Sequence, residues 1–285
     1  MKKNILITIF LFSTLFSFSQ TPDARTVLNK MFEACRNTTR FSSFLLQEER
    51  FGIKIRKSKQ EIKVSTKPTL RALVSIVESE GFGESGTEIC YPSKYNSNNA
   101  CFMTFMAKTA KGKVHNIYDN VLCEKDKQHH PFPHIGFQYL MEVINFNIKQ
   151  DSVKFFRALS IKEQPTFYEL TIDDNQYNEN VLYKVKGVGD GDFVTIAKTK
   201  GISQLKVYEL NKEKKLDYCT PLKPGELLKI PSSYSRKTIL YVNKINYLPL
   251  TQIIYDNNPT IPYEKYVFEG FNANPKFSDS VFNCD

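Results

Sequence analysis

Hydrophobic residues along this chain change their period several times, and each change marks an element. Ala24, Val27, Leu28, Met31, Phe32 and Cys35 recur at helical spacing and predict one amphipathic helix. Thr21-Pro22-Asp23 ahead of it has the order of an N-cap, a first-turn proline and an acidic first-turn residue. From Phe41 to Cys123 the period shifts towards two. Phe44 to Phe51, Gln60 to Ser65, Thr69 to Glu78, Thr87 to Tyr91, Cys101 to Met106 and Lys113 to Tyr118 read as strands of an antiparallel meander, separated by Gly, Pro, Ser and Asn clusters. Glu48-Glu49-Arg50 and the lysines from Lys54 to Lys63 fall on the solvated face of those strands. His134 to Ile148 then carries Ile135, Tyr139, Leu140, Val143, Ile144 and Ile148 in a second helical pattern. Strand character returns at Tyr168 to Ile172, and again at Thr238 to Val242, Leu250 to Tyr255 and Tyr263 to Phe271.

Residues 183–231 interrupt this second set of strands. Tyr183-Lys-Val185 opens a short strand, and Gly187, Gly189 and Gly191 punctuate a turn. Phe193, Ile196 and Ala197 form a helical face ended by Gly201. Ser203 caps a second helix carrying Leu205, Tyr208 and Leu210 and ending at Asn211, and Leu222 to Pro231 supply a turn and a returning strand. The order strand, helix, helix, strand describes a small module inserted into one larger sheet.

The N-terminus is of another kind. Lys2 and Lys3 precede an apolar stretch from Ile5 to Phe18, followed by Ser17-Phe18-Ser19, the layout of a secretory signal peptide at 1–20 cleaved near Ser19 or Gln20. The stretch is shorter than the roughly 20 residues a bilayer-spanning helix needs, so no transmembrane span is expected in the mature chain. Export gives the six cysteines (Cys35, Cys90, Cys101, Cys123, Cys219, Cys284) two possible fates: disulfides, with Cys90 and Cys101 the nearest local pair, or buried free thiols.

Charge sharpens the picture. The chain of 285 residues carries a formal charge of +9. Losing Lys2 and Lys3 leaves +7, and +4 of it lies in residues 183–231, which hold ten Lys against six acidic residues. Concentrated there, the charge suits an anionic envelope polymer and gives no case for nucleic acid.

The inserted segment resembles a LysM domain, the small peptidoglycan- and chitin-binding module. Tyr183-x-Val185, the Gly and Asp turn, Phe193-x-x-Ile196-Ala197, Gly201-Ile202-Ser203, Leu210-Asn211 and Leu222-x-Pro224-Gly225-x-x-Leu228-x-Ile230-Pro231 carry that resemblance. The turn from Lys186 to Asp192 departs from it by about two extra residues. The resemblance implies carbohydrate contacts from Gly189, Asp190, Gly191, Asp192, Phe193, Thr220, Pro221 and Leu222. A purely structural role for Phe193, Ile196, Leu210 and Ile230 as a mini-core is the competing expectation.

The remainder, 21–182 with 232–285, resembles exported proteins on the lipoprotein-localisation-carrier (LolA-like) scaffold. Gln47-Glu48-Glu49-Arg50-Phe51, Gln60 to Val64 with Pro68, Gly86 to Tyr91, Gln128-His129-His130 with Ile135-Gly136-Phe137-x-Tyr139-Leu140, and Asn274-Pro275-Lys276-Phe277 carry it. It implies an α+β fold: a curved antiparallel half-barrel with packed helices over an apolar hollow, and by analogy a lipid ligand. The expected protein is a non-enzymatic component of a Gram-negative periplasm or cell envelope, tethered to peptidoglycan, and no cofactor is implied. The competing expectation is a metal-dependent cell-wall hydrolase built on His129, His130 and His134, the one cluster with metal-ligand chemistry. Pro131 and Pro133 oppose it by breaking the helical spacing, and no Walker loop, G-x-S-x-G, HExxH or dinucleotide fingerprint occurs.

Overall fold

Asp23 sets the start of the first helix. Its carboxylate accepts from the backbone N–H groups of Arg25 and Thr26 at 2.9 and 3.0 Å, and α1 runs Ala24–Asn37 behind it. The cap is therefore Asp23 rather than Thr21, because the aspartate oxygens reach the orphan amides of the first turn themselves. Val27, Leu28, Met31, Phe32 and Cys35 are buried along one side, as their spacing requires. The computed structural model describes residues 22–80, 83–92, 104–118, 128–150, 159–187, 191–216, 218 and 220–283. The expected signal peptide and Cys101, Cys123, Cys219 and Cys284 lie outside them. Among the described residues no helix is long and apolar enough to cross a membrane. Cys35 is a buried free thiol, and Cys90 is disulfide-bonded to a cysteine outside the described residues.

After α1 come β1 (Arg40–Phe51), β2 (Lys54–Ser65), β3 (Arg71–Ser79), β4 (Glu88–Tyr91), β5 (Thr104–Lys108) and β6 (Val114–Tyr118). A short 3-10 turn at Phe132–His134 leads into α2 (Phe137–Gln150), followed by β7 (Leu159–Glu163) and β8 (Phe167–Asp173). The inserted segment contributes β9 (Val181–Lys184), α3 (Phe193–Lys200), α4 (Gln204–Leu210) and β10 (Leu227–Ile230). The chain ends with β11 (Lys237–Asn243), β12 (Pro249–Tyr255) and β13 (Glu264–Ala273). The helical pattern expected from His134 starts at Phe137 instead, because the chain spends 132–134 on the 3-10 turn and Gly136 takes φ +90°.

Eleven strands form one open antiparallel sheet in the order β6-β5-β4-β3-β2-β1-β13-β12-β11-β8-β7. It consists of two meanders joined where β1 pairs with β13, in a register that sets Glu49 opposite Glu264. Laid flat at about 4.8 Å per strand it would be roughly 50 Å wide, whereas two helices side by side cover about 20 Å. Yet one apolar core takes in Val27, Leu28 and Met31 of α1, Leu140 and Ile144 of α2, Phe105 of β5 and Leu170 of β8. A sheet whose outer strands share a core with the same two helices must curl around them, the curved sheet with packed helices expected above.

The inserted segment has its own small core of Val185, Phe193, Ile196, Ala197, Val207, Leu222, Leu228 and Ile230. Asp192 caps α3, Gly201 ends it in the left-handed region, and Ser203 caps α4. β9 and β10 pair antiparallel, so the βααβ order is present. The insertion leaves the sheet intact because β8 and β11 on either side of it pair directly. Its two linkers are also tied together: Ser232 N–H donates to Asn178 O at 2.8 Å, and Ser233 Oγ to Asp174 at 2.7 Å.

The module is docked rather than hung on the linkers. Leu205 and Tyr218 pack with Phe51 and Tyr263 of the sheet domain. Lys206 bridges to Asp256 at 2.8 Å, Arg50 pairs with the other Asp256 oxygen, and Tyr263 Oη donates to Glu209 at 3.1 Å. Burial alone would raise the Asp256 carboxyl, but Lys206 and Arg50 hold it below the usual range. On the other side Gly201 lies under the Phe146 ring of α2, where an added Cβ would sit 2.2 Å from a ring carbon. Gly201→Ala combines that clash with φ +62°, and is expected to cost about 2 kcal/mol or more in urea unfolding of the full chain.

Candidate functional site

Between α2 and the concave face of the sheet lies a cavity of about 280 Å³. Leu45, Phe132, Leu140, Val143, Ile144, Ile254 and Phe268 supply its apolar wall. α2 presents Leu140, Val143 and Ile144 because they share a face, and Leu45, Ile254 and Phe268 alternate inward from β1, β12 and β13. Asp173, Asp174 and Ser232 to Ser235, the roots of the insertion, also line it.

One wall is polar and rests on a buried imidazole. His129 Nδ1 lies 3.0 Å from Glu264 Oε1, and Nε2 lies 3.0 Å from the carbonyl oxygen of Arg50. A carbonyl and a carboxylate only accept, so both ring nitrogens must donate and the ring is an imidazolium. Its own backbone N–H donates to Glu49 at 3.0 Å, and Glu49 also accepts from Tyr266 Oη at 2.7 Å. Burial by itself disfavours the charged ring, but Glu49 and Glu264 outweigh it and the pKa of His129 is raised. Burial likewise opposes the Glu264 carboxylate, yet His130 and His129 hold its pKa below the usual range. His130 Nε2 donates to Glu264 at 3.0 Å and lies 3.1 Å from Tyr234 Oη, whose pKa is pushed well up by burial beside Glu264.

The histidine cluster divides its labour. His129 is enclosed between Phe51 and Tyr263, with ring centroids at 4.6 and 4.3 Å, and has no lone pair to offer. His134 stacks on Tyr139 at 3.6 Å, and burial and its neighbour His130 hold its pKa well below 6.5. His130 and His134 do not share a helix face, since α2 begins after both. Among the described residues no group of three His, Cys, Asp or Glu side chains could hold a metal. The metal-dependent reading therefore loses its centre, for the physical reason that His129 is protonated at both nitrogens.

Sequence reasoning missed Glu264 and Tyr234 and placed Glu49 and Arg50 in solvent. Glu49 is buried, and the Arg50 side chain is 14% exposed in its pair with Asp256. The signal was phase: Glu264 keeps step with Tyr266 and Phe268, and Glu49 with Leu45 and Gln47, on the inward faces of their strands.

Of the residues assigned to carbohydrate by resemblance, Gly189 and Asp190 lie outside the described residues. Gly191 and Leu222 are joined, Leu222 N–H donating to Gly191 O at 2.7 Å, so the two loops do meet. Phe193 is fully buried and Leu222 nearly so, in the small core, so neither side chain can lie under a sugar ring. Asp192 spends its carboxylate on Thr195 N–H at 2.8 Å. Pro221 is exposed and Thr220 partly so.

No protein-family model matches the chain, and no curated protein matches it. Several solved structures are similar. MucB aligns over 91% of this chain at 9% identity and a TM-score of 0.41, and this chain spans 62% of MucB. A LolA superfamily protein from Nitrosomonas europaea aligns over 92% of this chain and 98% of its own, at 9% identity and a TM-score of 0.35. The Mycobacterium tuberculosis lipoprotein LppX aligns over 90% of this chain and 98% of its own, at 7% identity and a TM-score of 0.37. With identities no higher than 9%, the ligand and role of each stay with that protein.

The buried ions make stability depend on pH from both sides. A raised His129 pKa contributes stability that is complete below its ordinary 6.5 and is lost as pH rises through the folded value. A lowered Glu264 pKa contributes stability present above its ordinary 4.5 and lost as pH falls towards the folded value. Unfolding free energy measured by urea titration at a series of pH values is expected to plateau between these two and decline on either side. His129→Gln should cost about 3–5 kcal/mol on the plateau and flatten the alkaline decline.

Proposed function

We infer that this is a non-enzymatic exported protein that shelters the apolar part of a lipid in the cavity beneath α2. The supporting observation is the cavity itself, apolar on the α2 side and polar on one wall, with the roots of the insertion in its lining. The LolA-like sequence resemblance agrees with this reading, and together with the signal-peptide pattern it supports export to a Gram-negative periplasm or cell envelope. The environment-sensitive dye 1-N-phenylnaphthylamine, titrated into the mature chain, should brighten saturably and be displaced by an oleoyl lipid. Leu140→Trp, which projects bulk from α2 into the cavity, should weaken dye binding about tenfold or more while far-UV circular dichroism is unchanged. Equal binding by wild type and Leu140→Trp would remove the cavity from the function.

A second role belongs to the module: attachment to an acetamido-sugar polymer such as peptidoglycan. The observation favouring it is the Leu222 to Gly191 hydrogen bond, which holds together the two loops that carry the residues assigned to carbohydrate by resemblance. Backbone groups, not the buried Phe193 and Leu222 side chains, would make the contacts. The mature chain should co-sediment with insoluble peptidoglycan, and Pro221→Asp should abolish most of that retention. If both proteins stay in the supernatant, the tether is wrong and the lipid reading is untouched.

A further inference from the structure

The polar wall of the cavity is selective in its chemistry. Resting on the carrier reading above, we propose that the cavity takes a single acyl chain whose uncharged, hydroxyl-bearing head sits against Gln128 and His134. Size sets the first limit. At about 280 Å³ the cavity lies near the bottom of the range for small-molecule sites, roughly 300 to 1,000 Å³, and suits one chain rather than several.

Charge sets the second. Among the described residues the lining includes Glu264, Asp173 and Asp174 but neither Lys nor Arg. Glu264 itself is already met by His130 and by the His129 imidazolium behind the wall. Lys198 of the module acts on His134 only through space. A carboxylate or phosphate head entering here would give up its hydration beside Asp173, Asp174 and Glu264, with no lysine or arginine in the described lining to meet it.

Hydrogen-bond polarity sets the third. Burial and the neighbouring His130 hold the pKa of His134 well below 6.5, so its ring is neutral, and its Nδ1 is buried with no partner among the described residues, free to accept in the Nε2-protonated tautomer. Gln128, which also lines the cavity, has its Nε2 donor buried with no partner among the described residues. Such groups are rare in folded proteins and call for an occupant. One acceptor and one donor in the lining match a hydroxyl, which both gives and receives, and mismatch a carboxylate, which only receives.

The test compares three ligands with the same chain on the full mature protein by isothermal titration calorimetry at pH 8: 1-monooleoylglycerol, oleate and oleoyl-lysophosphatidylglycerol. Monooleoylglycerol is expected to bind about tenfold or more tightly than either anion. Gln128→Leu should erase most of that advantage while far-UV circular dichroism and the urea unfolding midpoint stay as in wild type. Gln128 makes no hydrogen bond through Nε2 that the substitution would break. If oleate or the lysophospholipid binds as tightly as monooleoylglycerol, the head assignment is overturned while the carrier reading stands. An undiminished advantage in Gln128→Leu overturns the placement of the head. If none of the three lipids binds, both the carrier reading and this one fall.

Discussion

A single buried cation, the His129 imidazolium, holds the two halves of this protein in register. It bonds Glu264 at the start of β13, the carbonyl of Arg50 at the end of β1, and through its own backbone the carboxylate of Glu49. β1 and β13 are the strands by which the N-terminal and C-terminal meanders join. Two carboxylates facing each other across that junction would repel, and burial would make each more costly. The imidazolium converts that liability into a constraint, since only one placement of the segment leading to α2 satisfies all its donors. The position of α2, and so the roof of the cavity, follows from a charge that no single strand could tolerate alone.

The same few residues carry the link to the inserted module. Tyr263 lies against the His129 ring and reaches Glu209 of α4, while Lys206 sits over its ring at 4.0 Å. Arg50 gives its carbonyl to His129 and its guanidinium to Asp256, which Lys206 shares. Removing one member of such a network strands a buried charge, so the interface is sensitive to single changes even where the intact pairs add little net stability. With Gly201 under Phe146 on the opposite side, the module is fixed against both the sheet and α2. Its own linkers, through Asp174 and Ser232 to Ser235, line the cavity.

Much of the architecture was legible as period. The α1 stripe, the meander, the capped helices of the module and the strand, helix, helix, strand order all follow from local spacing and local capping chemistry, which act over a few residues. Where local signals competed, the reading slipped by a turn: Asp23 rather than Thr21 caps α1, and α2 begins at Phe137 once Gly136 has turned the chain. The edge strand β7 went unseen because it is five residues long, Leu159–Glu163, and only Leu159 and Ile161 pack, partly buried, against the core.

The candidate site was legible only in outline. The sequence by itself determined that His129, His130 and His134 cluster, that one helix has an apolar face for a hollow, and that a small basic module interrupts the second meander. Only the tertiary structure decided what the histidines do. Glu49 and Glu264 are 215 positions apart, and nothing local distinguishes a glutamate that will be buried against an imidazolium from one on a solvated strand. Their inward phase was visible, but the charge that makes it tolerable arrives from another part of the chain. Electrostatic partners are set by distance in space, and the sheet pairing that creates those distances exists only once the two meanders have closed on each other.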